Sequence, residues 1–224
     1  KGYVTAKEYS RFCNTTVPLA RIPKFVYNTN ENFKAEIVLF HSGKIPLKEA
    51  IISWTIKEKK GNILSSGSFN ARTYENGNGS FVGNLTFALN AIKSASKLTW
   101  EVKVNDTSFA NDWNFWVYPE KNPEVPSSVY YTTVLDDKAK EVLNKGGKVF
   151  LNASGKVIKG KEVAMHFLPV FWNTSWFKMK PPHVTGMLIQ NESPAFENFP
   201  TSFHSDMQWW DIQNRSQVMN LEDF

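Results

Sequence analysis

The stretch Phe81-Val82-Gly83-Asn84-Leu85-Thr86-Phe87-Ala88-Leu89 decides the fold class of the first half of this chain. It contains the longest period-two run of the sequence, formed by Phe81, Gly83, Leu85, Phe87 and Leu89. Successive side chains of a β-strand point to opposite faces, so this spacing predicts a strand with one face in a core. Glycines in the preceding segment, Gly77 and Gly79, mark the turn that leads into it.

Shorter runs of the same kind lie on both sides of this strand. They are found at Phe33 to Phe40, at Ile52, Trp54 and Ile56, at Ile63 to Phe69, at Leu98 to Val104 and at Trp113 to Val117. Regular spacing with turn residues between the runs predicts an antiparallel immunoglobulin-like β-sandwich of roughly seven strands over residues 1–119. Trp54 and Trp100 are expected in its core.

A change of pattern follows the first domain. Residues 120–126 contain two of the three prolines of Pro119 to Pro126 and are predicted to be a stiff linker. Beyond it, a strand at Val129 to Val134, a helix at about Asp137 to Lys145 and a strand at Lys148 to Leu151 form a βαβ unit. The chain is therefore predicted to be multidomain and mainly β, with a smaller α/β domain over residues 127–224.

Composition limits the classes of function. The net charge of +5 is spread among acidic neighbours without a basic face, which argues against nucleic-acid binding. No apolar run approaches the roughly 18 residues of a membrane span, so membrane insertion is not expected. Cys13 is the only cysteine, which leaves no internal disulfide and no cysteine zinc site. No metal site and no cofactor are predicted.

The richest functional signal lies between Pro169 and Trp210. Four of the eight tryptophans fall here, together with histidine, asparagine and aspartate. Indole rings can stack on sugar rings, although most large aromatic side chains pack in cores. The candidate carbohydrate-binding residues are Trp172, Asn173, Trp176, His183, His204, Asp206, Trp209 and Trp210.

Several separated motifs carry a family resemblance. They are Phe12-Cys13, Val17-Pro18-Leu19-Ala20-Arg21, Asn111-Asp112-Trp113-Asn114-Phe115-Trp116-Val117-Tyr118-Pro119, Phe171-Trp172-Asn173-Thr174, Phe199-Pro200-Thr201 and Gln208-Trp209-Trp210. Together they resemble the C-terminal region of bacterial, Bacteroidetes-type, family 2 glycoside hydrolases of the β-galactosidase-like kind. The resemblance implies export to the periplasm or cell surface and a catalytic barrel elsewhere in the same parent chain. It also implies a second domain similar to flavodoxin or to a glutamine amidotransferase without its nucleophile.

No catalytic site of its own is predicted for this chain. The acids lie mostly in loops or beside lysines, and nothing pairs two of them as a glycosidase requires. The expected function is therefore a non-catalytic accessory region that braces or completes the cleft of the barrel. An independent carbohydrate-binding module with an oligosaccharide as its partner is the alternative. A third class, an α/β hydrolase or amidase, lacks a recognisable nucleophile because Ser154 has the context of a turn residue.

Overall fold

The computed structural model describes residues 4–121, 124–158 and 186–216. The chain is mainly β with several sheets, as predicted from its period-two runs. Its contacts divide it into two units. The first contains residues up to Glu120 together with Ser193–Pro200, and the second contains Lys121–Glu192 and the residues from Thr201 onward. The sequence-based boundaries, a first domain over residues 1–119, a linker over residues 120–126 and a second domain over residues 127–224, stay a prediction.

Residues 4–120 of the first unit form one helical turn and two β-sheets. Its elements are α1 (Ala6–Tyr9), β1 (Thr16–Arg21), β2 (Val26–Asn28), β3 (Asn32–His41), β4 (Leu47–Glu58), β5 (Ile63–Tyr74), β6 (Gly77–Ala88), β7 (Ser96–Val104) and β8 (Ala110–Tyr118). The sheets have the strand orders β1-β3-β6 and β2-β8-β7-β4-β5. All neighbouring pairs are antiparallel except β2 and β8. No helix falls between Phe33 and Val104, every residue of which is described.

Aromatic rings from both sheets meet in one core. Phe33 of β3 stacks on Phe115 of β8 with ring centroids 4.1 Å apart and planes at 15°. Trp100 of β7 meets the edge of Phe33 at 5.5 Å. All three side chains are fully buried. Because Phe33 belongs to the three-stranded sheet and the other two belong to the five-stranded sheet, the two sheets pack face to face as a sandwich.

Strand β6 contains a β-bulge. Because of this bulge, Phe81 does not share the core-facing side of the strand with Leu85 and Leu89, contrary to what its spacing predicted. Ile37 pairs with Gly83 but Val38 pairs with Phe81, so Val82 is an extra residue in β6. A bulge of this kind reverses the alternation on one side of it. Val82 is consequently buried and Phe81 is 47% exposed, whereas Leu85 and Leu89 face the core as expected.

The two tryptophans assigned to the core differ in burial. Trp100 is completely buried, as predicted. Trp54 is only partly buried and packs at the side of the core. It lies opposite Gly67 of β5, the edge strand of its sheet. An added Cβ at Gly67 would lie 2.8 Å from the Trp54 ring, so the indole covers a glycine that contributes no side chain.

The second unit contains a strand, a helix and a strand in the predicted order. Strand β9 (Val129–Thr132) pairs in parallel with β10 (Lys148–Leu151), and α2 (Asp137–Asn144) connects them. The side chain of Asp136 accepts a hydrogen bond from the Ala139 N–H at 2.7 Å and caps the helix. The helix ends before Gly146, which has φ of 75°, as expected of a helix-terminating glycine.

Short elements follow in the last described segment. They are two 3₁₀ helices, Pro194–Phe196 and Met207–Trp209, and the helical turn α3 (Trp210–Gln213). The first 3₁₀ helix belongs to the first unit. There Tyr118 stacks with Phe199 at 5.9 Å, and Trp116 Nε1 donates a hydrogen bond to the Pro200 carbonyl at 3.2 Å. Of the helices in the described ranges, none has the length and apolarity needed to cross a lipid bilayer.

Candidate functional site

The segment that carries four of the predicted sugar-binding residues is held by backbone pairing. Leu188 and His204 form an antiparallel bridge. Ile189 N–H donates to the Phe203 carbonyl at 2.7 Å, and Ser205 N–H donates to the Met187 carbonyl at 2.9 Å. Two extended stretches of the second unit are thereby joined, which fixes the backbone on both sides of His204.

His204 and Asp206 have local structural contacts in this segment. His204 Nδ1 lies 2.8 Å from the Ser205 carbonyl. The His204 ring also approaches Gly186, where an added Cβ would lie 2.6 Å from its Cε1 atom. Asp206 accepts a hydrogen bond from Gln208 N–H at 3.2 Å and caps the 3₁₀ helix Met207–Trp209. These contacts shape a turn, and they also hold the two side chains in defined positions.

The adjacent tryptophans of this segment differ in exposure. Trp209 is partly buried, and its Nε1 donates to Thr201 Oγ1 at 2.8 Å. Trp210 is 44% exposed. The Trp209–Thr201 hydrogen bond closes the loop that contains His204 and Asp206. The structure thus brings these candidates into one small region of the second unit, while Trp172, Asn173, Trp176 and His183 lie outside the described residues.

A charged cluster on the five-stranded sheet was not anticipated from the sequence. Glu101 of β7 is the register partner of Asp112 of β8. Arg11 contacts both carboxylates, with its Nη2 3.3 Å from Glu101 Oε2 and its Nε 2.6 Å from Asp112 Oδ1. Lys57 of β4 places its Nζ 2.9 Å from Glu101 Oε1. The two carboxylates therefore share one guanidinium, and Glu101 has a second cation.

The electrostatics of this cluster keep Glu101 ionised. Burial raises the pKa of Glu101, but hydrogen bonds and charge from Lys57 and Arg11 outweigh burial, so the net pKa lies below its ordinary value. A general acid in a glycosidase needs a raised pKa. The geometry can hold the segment containing Arg11 against the sheet, and it does not favour a protonated Glu101.

The pairing of Glu101 with Asp112 could have been predicted from the β7–β8 hairpin. Both strands were predicted, and the register pairs Trp100 with Trp113 and Val102 with Asn111. Counting outward from the turn pairs Glu101 with Asp112, so a register assignment would have found the two acids. Arg11 could not have been found in this way because it lies 90 residues from Glu101 in the chain.

The buried histidine of the first unit has structural partners. His41 Nε2 lies 2.9 Å from the Ile45 carbonyl, and Nδ1 lies 2.8 Å from Thr16 Oγ1. A carbonyl only accepts hydrogen bonds, so Nε2 carries a proton, and in the neutral ring Nδ1 accepts from the Thr16 hydroxyl. Among the residues that the structure describes, no cluster of three or more histidine, cysteine, aspartate or glutamate side chains could hold a metal ion.

A cavity of about 630 Å³ opens at one end of the sandwich. It lies between the start of β4, residues 45–51, and the β7–β8 turn, residues 104–107. Glu49 and Asp106 at its lining have positive φ values of 48° and 57°. Its volume is within the range of small-molecule sites, but its described lining brings no set of catalytic groups together.

Two parts of the chain match family models of domains whose function is unknown. Residues 31–119 match a family described as domain of unknown function DUF8488, and residues 130–224 match one described as domain of unknown function DUF8487. No curated protein matches the chain.

Several solved structures have a low level of similarity to this chain. They include the alkylpurine DNA glycosylase AlkC of Pseudomonas fluorescens bound to DNA containing an abasic site analogue, at 13% identity and TM-score 0.36 over 46% of this chain and 30% of that one. A cycloisomaltooligosaccharide glucanotransferase of Paenibacillus sp. in complex with cycloisomaltoheptaose is 9% identical at TM-score 0.36 over 53% of this chain and 16% of that one. The β-glucuronidase of Parabacteroides merdae is 9% identical at TM-score 0.34 over 46% of this chain and 14% of that one. Matches this low carry no argument about function, and this chain spans less than a third of each of these three.

Proposed function

We propose that this chain is a non-catalytic accessory region of a glycoside hydrolase of the β-galactosidase-like kind. Its partner would be a catalytic barrel of the same parent protein, which it would brace or whose cleft it would complete. The proposal starts from the sequence motifs that resemble the C-terminal region of family 2 glycoside hydrolases. The same resemblance supports a location in the periplasm or at the cell surface.

One observation carries the non-catalytic part of the proposal. Glu101 and Asp112 face each other across β7 and β8, but Arg11 contacts both carboxylates. Lys57 adds a second cation beside Glu101 and contributes to its lowered pKa. A retaining glycosidase needs one carboxylate nucleophile and one carboxyl group that is protonated before bond cleavage. The shared guanidinium and the lowered pKa of Glu101 suit this pair to an ionic clamp, because these contacts do not favour a protonated Glu101.

The finer fold assignment is part of the same proposal. The first unit is proposed to be an immunoglobulin-like sandwich, a view supported by its two facing sheets and by the shared core of Phe33, Trp100 and Phe115. The second unit is proposed to be an α/β domain similar to flavodoxin or to a glutamine amidotransferase. The parallel pair β9–β10 with α2 between them supports this assignment.

An activity assay on the purified chain tests the proposal. Nitrophenyl β-galactoside, β-glucoside, β-glucuronide and β-xyloside would be incubated with the 224-residue chain at high protein concentration. We expect no release of nitrophenol above that of a blank. Turnover that is abolished by Glu101→Gln or Asp112→Asn would contradict the proposal, because it would make the carboxylate pair catalytic.

A second assay tests the accessory role directly. The catalytic barrel of the parent protein would be expressed with and without this region, and its thermal midpoint and kcat/KM would be compared. We expect the barrel to lose stability or substrate affinity when the region is removed. An unchanged midpoint together with unchanged kinetics would contradict the accessory role.

The second candidate function is an independent carbohydrate-binding module. The observation in its favour is the exposure of Trp210 beside Trp209, within the segment that also holds His204 and Asp206. An exposed indole flanked by polar groups can stack on the apolar face of a sugar. Sugar titration of Trp210→Ala against the unsubstituted chain tests this candidate, since a contribution from Trp210 predicts weaker binding.

A further inference from the structure

The two-stranded sheet of the second unit has one face that packs against its helix and one that does not. Tyr130 of β9 points toward α2, because its hydroxyl donates to Asp136 Oδ2 at 3.1 Å and Lys138 lies over its ring. Neighbouring residues of a strand point to opposite faces. Tyr131 therefore points away from α2, and so does its register partner Phe150 of β10.

Tyr131 and Phe150 form an aromatic pair at the surface. Their ring centroids are 5.8 Å apart and their planes differ by 25°. Tyr131 is 45% exposed and Phe150 is 56% exposed. The stacked pair in the sandwich core, Phe33 and Phe115, is fully buried by comparison. Exposing two adjacent large rings is unfavourable unless something covers them, so this pair indicates a binding surface.

Polar side chains flank the rings at the carboxyl ends of β9 and β10. Asn152 Nδ2 donates to the Tyr131 hydroxyl at 3.2 Å, and its Oδ1 accepts from Ser154 N–H at 3.2 Å. Lys156 Nζ donates to Thr133 Oγ1 at 2.9 Å. The surface formed by Tyr131, Phe150, Thr133, Asn152 and Lys156 is called the β9–β10 aromatic face below. It combines an apolar area with hydroxyl, amide and ammonium groups. The carboxyl ends of parallel strands are the usual location of ligand sites in α/β folds.

We propose that the β9–β10 aromatic face binds a sugar ring. A pyranose has one face of C–H groups that can lie on an aromatic ring and a rim of hydroxyls that both donate and accept hydrogen bonds. Tyr131 and Phe150 match the C–H face. Asn152, Thr133 and Lys156 match the hydroxyl rim, which distinguishes this surface from a purely apolar contact.

The size of the face favours a sugar over a protein partner. A specific protein interface buries about 800 Å² on each partner. Two fully buried aromatic side chains bury roughly 150–250 Å² each, so together they reach at most about 60% of that area. A single sugar ring or a disaccharide needs no larger surface.

The inference does not depend on the accessory role proposed above. Its residues also differ from the tryptophans, histidines, asparagine and aspartate predicted from the sequence. An accessory region could use the face to hold a glycan near its barrel, and an independent module could use it as its main site. Failure of sugar binding here would leave the accessory role standing, because that role is tested by kinetics and stability of the barrel.

Saturation-transfer NMR and calorimetry on the 224-residue chain test the inference. The probes would be galactose, glucose and xylose with their β-linked trisaccharides. We expect saturable binding of at least one trisaccharide, with a dissociation constant on the order of millimolar because ordering costs offset much of the stacking energy. Saturation should be strongest on the sugar C–H protons that face the rings.

Variants identify the site. Tyr131→Ala and Phe150→Ala should each weaken binding by about tenfold or more, as expected when one central aromatic contact is removed. Tyr131→Phe keeps the ring and should retain most of the affinity, so it covers the case in which Tyr131→Ala does not fold. Asn152→Ala should weaken binding by a smaller factor. Phe81→Ala is the matched control, since Phe81 is an equally exposed ring in the first unit.

Three outcomes would overturn the inference. The first is no saturable binding of any probe by the folded chain. The second is binding that is unchanged in both Phe150→Ala and Asn152→Ala. The third is a concentration-dependent dimer in analytical ultracentrifugation that Phe150→Ala dissociates, which would assign the face to a second copy of the chain.

Discussion

Glu101 and Asp112 lie directly opposite each other on β7 and β8, and one arginine, Arg11, contacts both carboxylates. Two like charges in register would repel each other without that contact. Arg11 comes from the segment between α1 and β1, so the ion pairs join the beginning of the chain to the five-stranded sheet. Arg11 thus offsets the repulsion between the two carboxylates. Its ion pairs also act as a clamp, because they hold the segment between α1 and β1, which has few buried residues, against the sheet.

The clamp predicts a pH-dependent loss of stability in Arg11→Met. The folded-state pKa of Glu101 lies below its ordinary 4.5. Its ion pairs therefore stabilise the fold above that pH, and the contribution disappears as the pH falls through the folded-state pKa. Since these side chains are about a third exposed, solvent screening limits the expected loss to about 1 kcal/mol at pH 7.

Urea unfolding at pH 7 and at pH 3.5 measures this effect. The difference between Arg11→Met and the unsubstituted chain should be smaller at the acidic pH. Arg21→Met is the control, because Arg21 pairs with Glu36 at 3.2 Å but is 70% exposed, and its replacement should change little. A difference for Arg11→Met that grows toward pH 3.5 would be inconsistent with the clamp.

Alanine substitutions at Trp100 and at Trp54 should lower the free energy of unfolding by different amounts. Trp100→Ala removes a fully buried ring and should cost about 3–5 kcal/mol, whereas Trp54→Ala should cost less because Trp54 is only partly buried. Trp100 Nε1 has no hydrogen-bond partner among the described residues. Trp100→Phe therefore removes an unpaired buried donor and should cost less than Trp100→Ala. Chemical denaturation gives the ranking, and equal losses for Trp54→Ala and Trp100→Ala would refute it.

The position of Gly83 in β6 predicts a steric conflict with any added side chain. An added Cβ there would lie 2.3 Å from Cε1 of Phe69 in β5. Gly83→Ala should thus destabilise the fold by about 1–3 kcal/mol through overpacking. In a Phe69→Ala background the same substitution should cost much less, giving a favourable coupling in a double-mutant cycle.

Gly77→Ala is the matched control for Gly83→Ala. Gly77 lies in the same strand, and the nearest atom to its added Cβ is Ser80 Oγ at 3.9 Å. Its replacement should leave the urea midpoint nearly unchanged. Similar losses for the two glycine variants, with or without Phe69, would show that the ring of Phe69 does not set the requirement for glycine.

Removing the N-cap of α2 should loosen the second unit locally. Asp136→Ala deletes the acceptor for Ala139 N–H and should cost about 1 kcal/mol. Hydrogen exchange of the amides in the first turn of α2 should accelerate. Lys140→Ala is a suitable comparison because it removes only an exposed ion pair with Asp137. Exchange that is equally fast in both variants would argue against a capping role.

The local elements of this protein could be predicted because their signals lie within a few residues. Apolar residues at every second position mark β3 and β7, and the structure has strands there. Asp136 before the helix and Gly146 after it mark the two ends of α2. Capping and alternation depend on backbone geometry within one element, so no knowledge of the tertiary fold is needed.

The candidate sites depended on contacts that no local pattern contains. Arg11 meets Glu101 across 90 residues of chain. Tyr131 and Phe150 become neighbours only through the parallel register of β9 and β10. The aromatic-rich stretch between Pro169 and Trp210 predicted where to look, but its described part is dominated by turn and capping contacts such as that of Asp206 with Gln208.

The sequence by itself determined the mainly β character of the chain, the position of α2 and the burial of Trp100. Each of these follows from the period of apolar residues or from a capping residue, which act within one element. Only the tertiary structure decided that Phe81 faces solvent, that Trp54 lies at the side of the core, and that Glu101 and Asp112 share Arg11. A bulge and a register are relations between two strands, and the energy that selects them comes from packing between residues distant in the chain.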